Sequence, residues 1–157
     1  MNTNEVRLNF ITRNVVRHFK FLLDKGFRIS NASNFIDSLG FWFVEFESPK
    51  CFLMVLSDRD EVMIRIYPVK ADRKVAIGLK SMIYYLSQGK TIIGNYQGNL
   101  VWGTRKQLAQ ISSLLDEYID QIMPYMGNEF QHIADDYKLA SKEYVELQTS
   151  TFQRRGY

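Results

Sequence analysis

Three short apolar runs between residues 41 and 67 constrain the fold of this chain more than any other feature. The first run, 41–48, is rich in aromatic and β-branched residues and ends at Pro49, a residue that fixes φ and cannot donate to a ladder. The second run covers 51–57 and the third covers 62–67. Runs of strand length separated by short polar turns are typical of an antiparallel meander, which we predict here.

Side chains alternate along a strand, so the predicted meander has two distinguishable faces. With loop tips at Pro49-Lys50 and Arg59-Asp60, one side is almost wholly apolar and is predicted to face the core. This side, face one, carries Trp42, Val44, Phe46, Leu53, Val55, Val62, Ile64 and Ile66. A slip of one residue would move the apolar set of a strand to the other side, which favours this register.

The opposite side of the predicted sheet, face two, mixes apolar and charged residues. It carries Phe43, Glu45, Glu47, Phe52, Met54, Leu56, Met63, Arg65 and Tyr67. In one interpretation a helix covers this face in part, with Glu45 and Arg65 as a cross-strand pair at its border. In the other, the face is an apolar partner interface with a charged rim. The candidate interface residues are then Phe43, Glu45, Met54, Leu56, Met63, Arg65 and Tyr67.

Length and composition predict one globular domain, 1–157. The chain has 157 residues, is 46% hydrophobic and 14% aromatic, and has a formal net charge of +3, so it is neither disordered nor strongly basic. The lone Cys51 allows no internal disulfide, fits a reducing compartment, and falls on the core side as a small hydrophobe. No apolar stretch is long enough to span a bilayer, and arginines interrupt the N-terminal segment, so a cytoplasmic protein is expected.

The N-terminal segment is predicted to be a helix over 5–25 that ends at Gly26, a residue suited to the position after a helix. A short strand at 27–30 and a loop at 31–34 follow. The predicted apolar stripe of the helix is Val6, Phe10, Val15, Phe19, Leu22 and Leu23. The same helix is basic, which raises nucleic-acid binding as a less favoured possibility.

A resemblance follows from the order of these segments. The helix ending at 21–27 (FLLDKGF) is followed by 44–48 (VEFES), then by 57–61 (SDRDE) and by Tyr67-Pro68. This order resembles small bacterial α+β proteins, some of which are grouped with the immunity proteins of polymorphic toxin systems. The resemblance covers roughly residues 6–68 and rests on structural residues, so it transfers no site residue. It implies stoichiometric binding of another protein, such as a toxin domain.

The remainder of the chain is predicted to be mostly helical. A helix over 74–88 has the apolar stripe Val75, Leu79, Met82, Ile83 and Leu86, and 89–103 is a glycine-containing loop. Thr104 is predicted to begin a helix, with Gln107 at the capping-box position. Apolar residues at Leu108, Ile111, Leu115, Tyr118 and Ile122 then define a stripe along 104–123.

A last helix is predicted over 129–147, forming an αα-hairpin with the helix before it, and 148–157 is expected to be a mobile tail. Its narrow aromatic stripe has two open interpretations. Either it packs on the domain's own sheet, or it is the seam of a homo-oligomer. The candidate seam residues are Phe130, Ile133, Tyr137 and Tyr144.

The sequence contains no recognisable catalytic or metal-binding constellation. His18 and His132 have no second ligand at metal spacing, and no nucleophile elbow or phosphate-binding loop is present. We therefore expect no enzymatic activity, no cofactor and no metal. The predicted fold is α+β, with an N-terminal helix, a meander of three to four strands and two to three helices. The predicted function is a protein-binding module of an immunity or regulatory type; a homo-oligomer or a nucleic-acid-associated protein are the alternatives.

Overall fold

The computed structural model describes residues 3–35, 41–59, 61–69, 75–93 and 103–154. Two helices precede a sheet of five strands, and three further helices follow it. In chain order the elements are α1 (Thr3–His18), α2 (Lys20–Asp24), β1 (Arg28–Phe35), β2 (Phe41–Glu47), β3 (Cys51–Asp58), β4 (Glu61–Pro68), β5 (Ile77–Gly78), α3 (Leu79–Leu86), α4 (Thr104–Ile122), the 3₁₀ turns Met123–Tyr125 and Gly127–Glu129, and α5 (Phe130–Arg154). The α+β class predicted from the sequence is confirmed.

The sheet is an antiparallel meander whose strands lie in sequence order, and the predicted register of its centre is confirmed. Glu45 lies opposite Met54, which lies opposite Arg65. The face-one side chains of β2, β3 and β4 are all buried, and Cys51 is buried with them. The face-one alternation and the short turns together predict this pairing, because a slip of one residue would expose an apolar set.

The helices pack on face one and complete a single apolar core. The core includes Phe19 and Leu22 from the N-terminal region, Ile83 from α3, and Leu115 and Ile119 from α4. No face-two side chain belongs to this core. The fold is therefore a two-layer arrangement in which only one side of the sheet carries the described helices.

The first strand is longer than predicted. The sequence predicted a strand at 27–30 and a loop at 31–34, whereas β1 pairs with β2 as far as Phe35. A register irregularity between Ile29 and Asn31 accommodates the strand. Serine and asparagine have weak strand propensity, but an edge strand satisfies its backbone groups through its neighbour whatever its side chains.

The N-terminal helix differs from the prediction in two respects. It breaks at Phe19 into α1 and α2, and Val6, Phe10 and Leu23 of the predicted stripe are exposed. Only Val15, Phe19 and Leu22 of the predicted stripe are buried in the core. The end of α2 is as predicted, because Gly26 has a φ of +87° and donates its N–H to the Leu23 carbonyl at 3.0 Å.

Helix α3 is shorter than the predicted 74–88 because Ile77 and Gly78 are extended and form β5. Ile77 lies opposite Ile66 of β4 and is fully buried, while Val75 of the predicted stripe is exposed. Pairing with β4 and burial of Ile77 therefore outweigh the local helical periodicity. Gly78 then occupies the N-cap position of α3 with an extended backbone.

Helix α4 begins at Thr104 as predicted, but the predicted capping box does not form. Gly103 occupies the N-cap position, and no side chain caps the helix. Gln107 is buried instead, and its Oε1 accepts a hydrogen bond from the Val62 N–H at 2.9 Å. The predicted stripe is buried except for Tyr118, which is half-buried.

Helix α5 completes the predicted hairpin-like end but continues to Arg154, so the predicted tail over 148–157 is helical as far as 154. Residues 155–157 lie outside the described part. The chief packing partner of α5 is α3. Gln148 donates to the Ile93 carbonyl at 3.3 Å, which ties the helix to the segment after α3. Among the described helices, none is both long and apolar enough to cross a membrane.

Candidate functional site

Face two is the largest surface of the sheet that the described core does not use. Its central residue Leu56 is 1% exposed, and Arg65 is exposed. The remaining apolar side chains of the predicted interface are half-buried: Phe43, Met54, Met63 and Tyr67. Phe52 and Glu47 are also half-buried. The result is a continuous, partly exposed apolar surface across three strands.

One end of face two is an aromatic cluster that extends the predicted interface. Phe35 and Phe41 face each other across β1 and β2 with ring centroids 5.8 Å apart, and both contact Phe43. Phe35 remains 48% exposed. Neither residue is among the predicted interface residues. Phe41 begins the first predicted strand, whereas Phe35 lies beyond the short strand predicted at 27–30, so the pairing that brings the two rings together was not predicted.

The carboxylate of Glu45 lies within this apolar surface. The side chain is only 6% exposed, and its Oε1 accepts a hydrogen bond from the Ser30 hydroxyl at 2.7 Å. Burial of a carboxylate is costly unless it is hydrogen-bonded. The Ser30 hydroxyl therefore supplies one hydrogen bond to the Glu45 carboxylate and fixes the orientation of that carboxylate.

The predicted ion pair between Glu45 and Arg65 is not formed. Met54 lies between them in the row, so the two residues stand on strands about 9.6 Å apart, and no ion pair between them is found among the described side chains. The Arg65 guanidinium instead lies 4.0 Å from the Met63 sulfur. An acidic group and a basic group therefore flank the same apolar surface without neutralising each other.

The predicted oligomer seam lies inside the chain. Phe130, Tyr137 and Tyr144 are buried, and Ile133 is half-buried. The Tyr137 hydroxyl accepts from the Gly78 N–H at 3.2 Å, and the Tyr144 hydroxyl donates to the Ile93 carbonyl. Tyr137 packs against Tyr85 of α3 and Tyr144 packs against Tyr84, so the stripe is not open to a second chain.

The basic N-terminal region is partly neutralised. Lys25 forms an ion pair with Asp120 at 2.7 Å, and Arg28 forms one with Glu47 at 3.1 Å. Both pairs are solvent-exposed in part, so they contribute little to stability. They pair two of the basic side chains of the N-terminal segment, but neither belongs to the face of Arg13, Arg17 and Lys20 on which the nucleic-acid alternative is based.

Cys51 is fully buried beside the turn between β2 and β3. Its N–H donates to the Ser48 hydroxyl at 3.1 Å, and its sulfur lies 3.9 Å from the Met123 sulfur. Burial raises the pKa of the Cys51 thiol to about 11, against the smaller opposing effects of the Ser48 hydrogen bond and the Lys50 charge. Within the described residues, no group of three or more His, Cys, Asp and Glu side chains is placed to hold a metal ion.

Cys51 is expected to resist alkylation by iodoacetamide in the folded protein at about pH 8 and to react quantitatively in urea. The thiolate is the nucleophile, and burial in the folded protein both shields the sulfur and keeps it protonated at this pH. Mass spectrometry measures the modified fraction. Because the folded-state pKa of about 11 exceeds the unfolded value of about 8.5, stability should decline as the pH rises between these values. Equally fast alkylation with and without urea would contradict the buried placement.

Comparisons of the chain with protein-family models, with curated proteins and with solved structures give no match. The resemblance to immunity proteins therefore stays a prediction from the sequence. The functional conclusion depends on the geometry of the sheet and on no relative.

Proposed function

We propose that this protein is a non-enzymatic protein-binding module that uses face two to bind and block a partner, in the manner of an immunity or regulatory protein. The observation that carries the proposal is the contrast between the two faces of one sheet. Face one is sealed by the helices, whereas face two keeps Phe43, Met54 and Met63 partly exposed and lies outside the core. The proposal includes a cytoplasmic setting, in which the buried Cys51 stays reduced.

The charged groups of face two give the proposed interface its selectivity. Protein interfaces combine an apolar centre with a polar rim, and a few anchors supply most of the affinity. Glu45, which is only 6% exposed and is hydrogen-bonded to Ser30, adds a negative charge just beneath this surface that favours a basic group of the partner. Arg65 presents a guanidinium that suits a carboxylate of the partner. A complementary partner therefore has apolar side chains flanked by one basic and one acidic group.

The two alternative functions have less support. A homo-oligomer built on α5 would need Tyr137 and Tyr144 at its surface, and both are buried. A nucleic-acid role would rest on α1 and its flank, where Lys25 and Arg28 are already paired. Light scattering of the purified protein is accordingly expected to give a monomer.

Charge reversal at Arg65 tests the proposed interface. A tagged wild-type protein is used to capture its partner from native lysate, and the affinity of the purified pair is then measured for Arg65→Glu. We expect a loss of about 30-fold or more, because the reversed charge repels the carboxylate that Arg65 would otherwise meet. The Arg65 side chain is exposed, so the folding transition should be unchanged.

Arg13→Glu is the matched control, since Arg13 is an exposed arginine on α1 rather than on the sheet. It should leave the affinity unchanged within about twofold. Equal affinity of wild-type protein and Arg65→Glu for the captured partner would remove face two as the binding surface. A stable dimer of the free protein would favour the oligomer alternative instead.

A further inference from the structure

A cavity of about 280 Å³ lies between α1, the start of β2 and the start of α4. Its volume is close to the lower limit of roughly 300 Å³ for pockets that hold small molecules. The lining residues are Phe10, Ile11, Asn14, Arg17, Trp42, Thr104, Arg105 and Leu108. None of these residues belongs to face two, so the cavity is separate from the proposed protein interface.

The walls of the cavity are mostly apolar and partly exposed. Trp42 and Leu108 are buried on the inner side, and Ile11 is half-buried. Phe10 is 69% exposed although it is a large aromatic residue. An exposed phenylalanine beside a tryptophan-lined cavity provides an apolar surface that a bound molecule would remove from water.

Two guanidinium groups converge on the same cavity from different helices. Arg17 comes from α1 and Arg105 from the first turn of α4. In the part of the chain that the structure describes, neither forms an ion pair with an acidic side chain. Like charges that share one site destabilise each other unless an anion lies between them.

The neighbouring His18 is affected by the same two charges. Burial lowers the pKa of His18, and the positive charges of Arg105 and Arg17 lower it further. Both arginines therefore act on one region of α1, which supports a concentration of positive potential at the cavity mouth.

We propose that the cavity binds a small amphipathic carboxylate, with its apolar body against Trp42 and Phe10 and its carboxylate between Arg17 and Arg105. Guanidinium groups bind carboxylates through charge-assisted hydrogen bonds, and the apolar walls favour a ligand that is not a bare inorganic anion. The cavity is too small for a large ligand such as a dinucleotide.

The test is a titration of the ¹⁵N-labelled full-length protein with sodium 2-naphthoate, followed through the indole N–H signal of Trp42. The chain has two tryptophans, so Trp102→Phe assigns the signal. We expect a saturable shift with a Kd of about 1 mM or tighter. The uncharged 2-naphthamide has the same aromatic body and should bind about tenfold more weakly, because the carboxylate is what the arginines recognise.

Arg17→Gln and Arg105→Gln should each weaken 2-naphthoate binding by about three- to tenfold, allowing for solvent screening of exposed guanidiniums. Arg13→Gln, an exposed arginine on the same helix outside the cavity, should leave it unchanged. The chemical shift of the Trp42 indole N–H without ligand should match that of the wild type, which verifies that each variant is folded.

The absence of a saturable Trp42 shift would overturn the proposal. Equal affinities for 2-naphthoate and 2-naphthamide would also overturn it, as would equal effects of the substitutions at Arg13 and Arg17. Arg65→Glu should retain full 2-naphthoate binding, so failure of the cavity and failure of the face-two interface are distinguished by separate variants.

Discussion

Phe46→Ala is expected to lower the free energy of unfolding by about 3–5 kcal/mol. Phe46 lies on face one near the end of β2, is 0% exposed, and has its ring centroid 6.1 Å from that of Phe19. Truncation removes apolar surface from a contact between the sheet and the N-terminal region and leaves a cavity behind. Urea denaturation with linear extrapolation measures the loss.

Phe10→Ala is the matched control, because it removes the same side chain from an exposed site on α1. The expected change is within about 0.5 kcal/mol, since little apolar area is buried there and alanine is the better helix former. If both substitutions cost the same, face one would not be the core face. A loss confined to Phe10→Ala would mean that α1 packs by its first turns instead.

Tyr137→Asp is expected to destabilise the protein by about 3–5 kcal/mol rather than to dissociate an oligomer. Tyr137 is 6% exposed, and its ring makes edge contacts with Tyr85 and Phe130. The substitution places a carboxylate among aromatic rings and removes the acceptor of the Gly78 N–H. Chemical denaturation and light scattering together measure the stability and the mass.

Two controls separate the contributions at this site. Tyr137→Phe keeps the ring and removes only the hydroxyl, so it should cost about 1 kcal/mol through the unpaired Gly78 N–H. Leu139→Asp introduces the same charge at an exposed position of α5 and should be nearly neutral. A fully stable Tyr137→Asp protein with half the mass of the wild type would contradict this account and support the homo-oligomer built on α5.

The central meander was predictable because apolar and polar residues alternate along each strand and so indicate which side of the strand faces the core. Trp42, Val44 and Phe46 alternate with partly polar neighbours, and the short turns limit the registers that bury all three. Pro49 marks one turn directly, since it cannot donate to the ladder. Local periodicity and turn length together were sufficient for this part of the fold.

The edges of the sheet were not predictable in the same way. Ser33 and Asn34 of β1 and the short β5 owe their extended backbone to a neighbouring strand, which a local pattern does not reveal. Gln107 similarly looked like a helix cap but serves the Val62 N–H, a contact between residues far apart in sequence. In each case a tertiary partner decides between structures of similar local propensity.

The candidate site was predictable in position but not in its electrostatics. Alternation sorts the face-two residues of β2 to β4 correctly, whereas Phe35 lies beyond the short strand predicted at 27–30. The cross-strand pair of Glu45 and Arg65, part of one of the two interpretations of this face, does not form because Met54 stands between them, and Glu45 instead accepts a hydrogen bond from Ser30, the last residue of the short strand predicted at 27–30. The cavity that contains Arg17 and Arg105 joins two helices distant in sequence, so no local motif indicates it.

Methionine-methyl NMR of the complex with the captured partner tests the proposed interface most directly. Met54 and Met63 lie half-buried on face two, while Met82 and Met126 are buried in the core. The interface predicts that the methyl signals of Met54 and Met63 shift or broaden on binding, while those of Met82 and Met126 stay in place. Complete binding with unchanged Met54 and Met63 signals would contradict it.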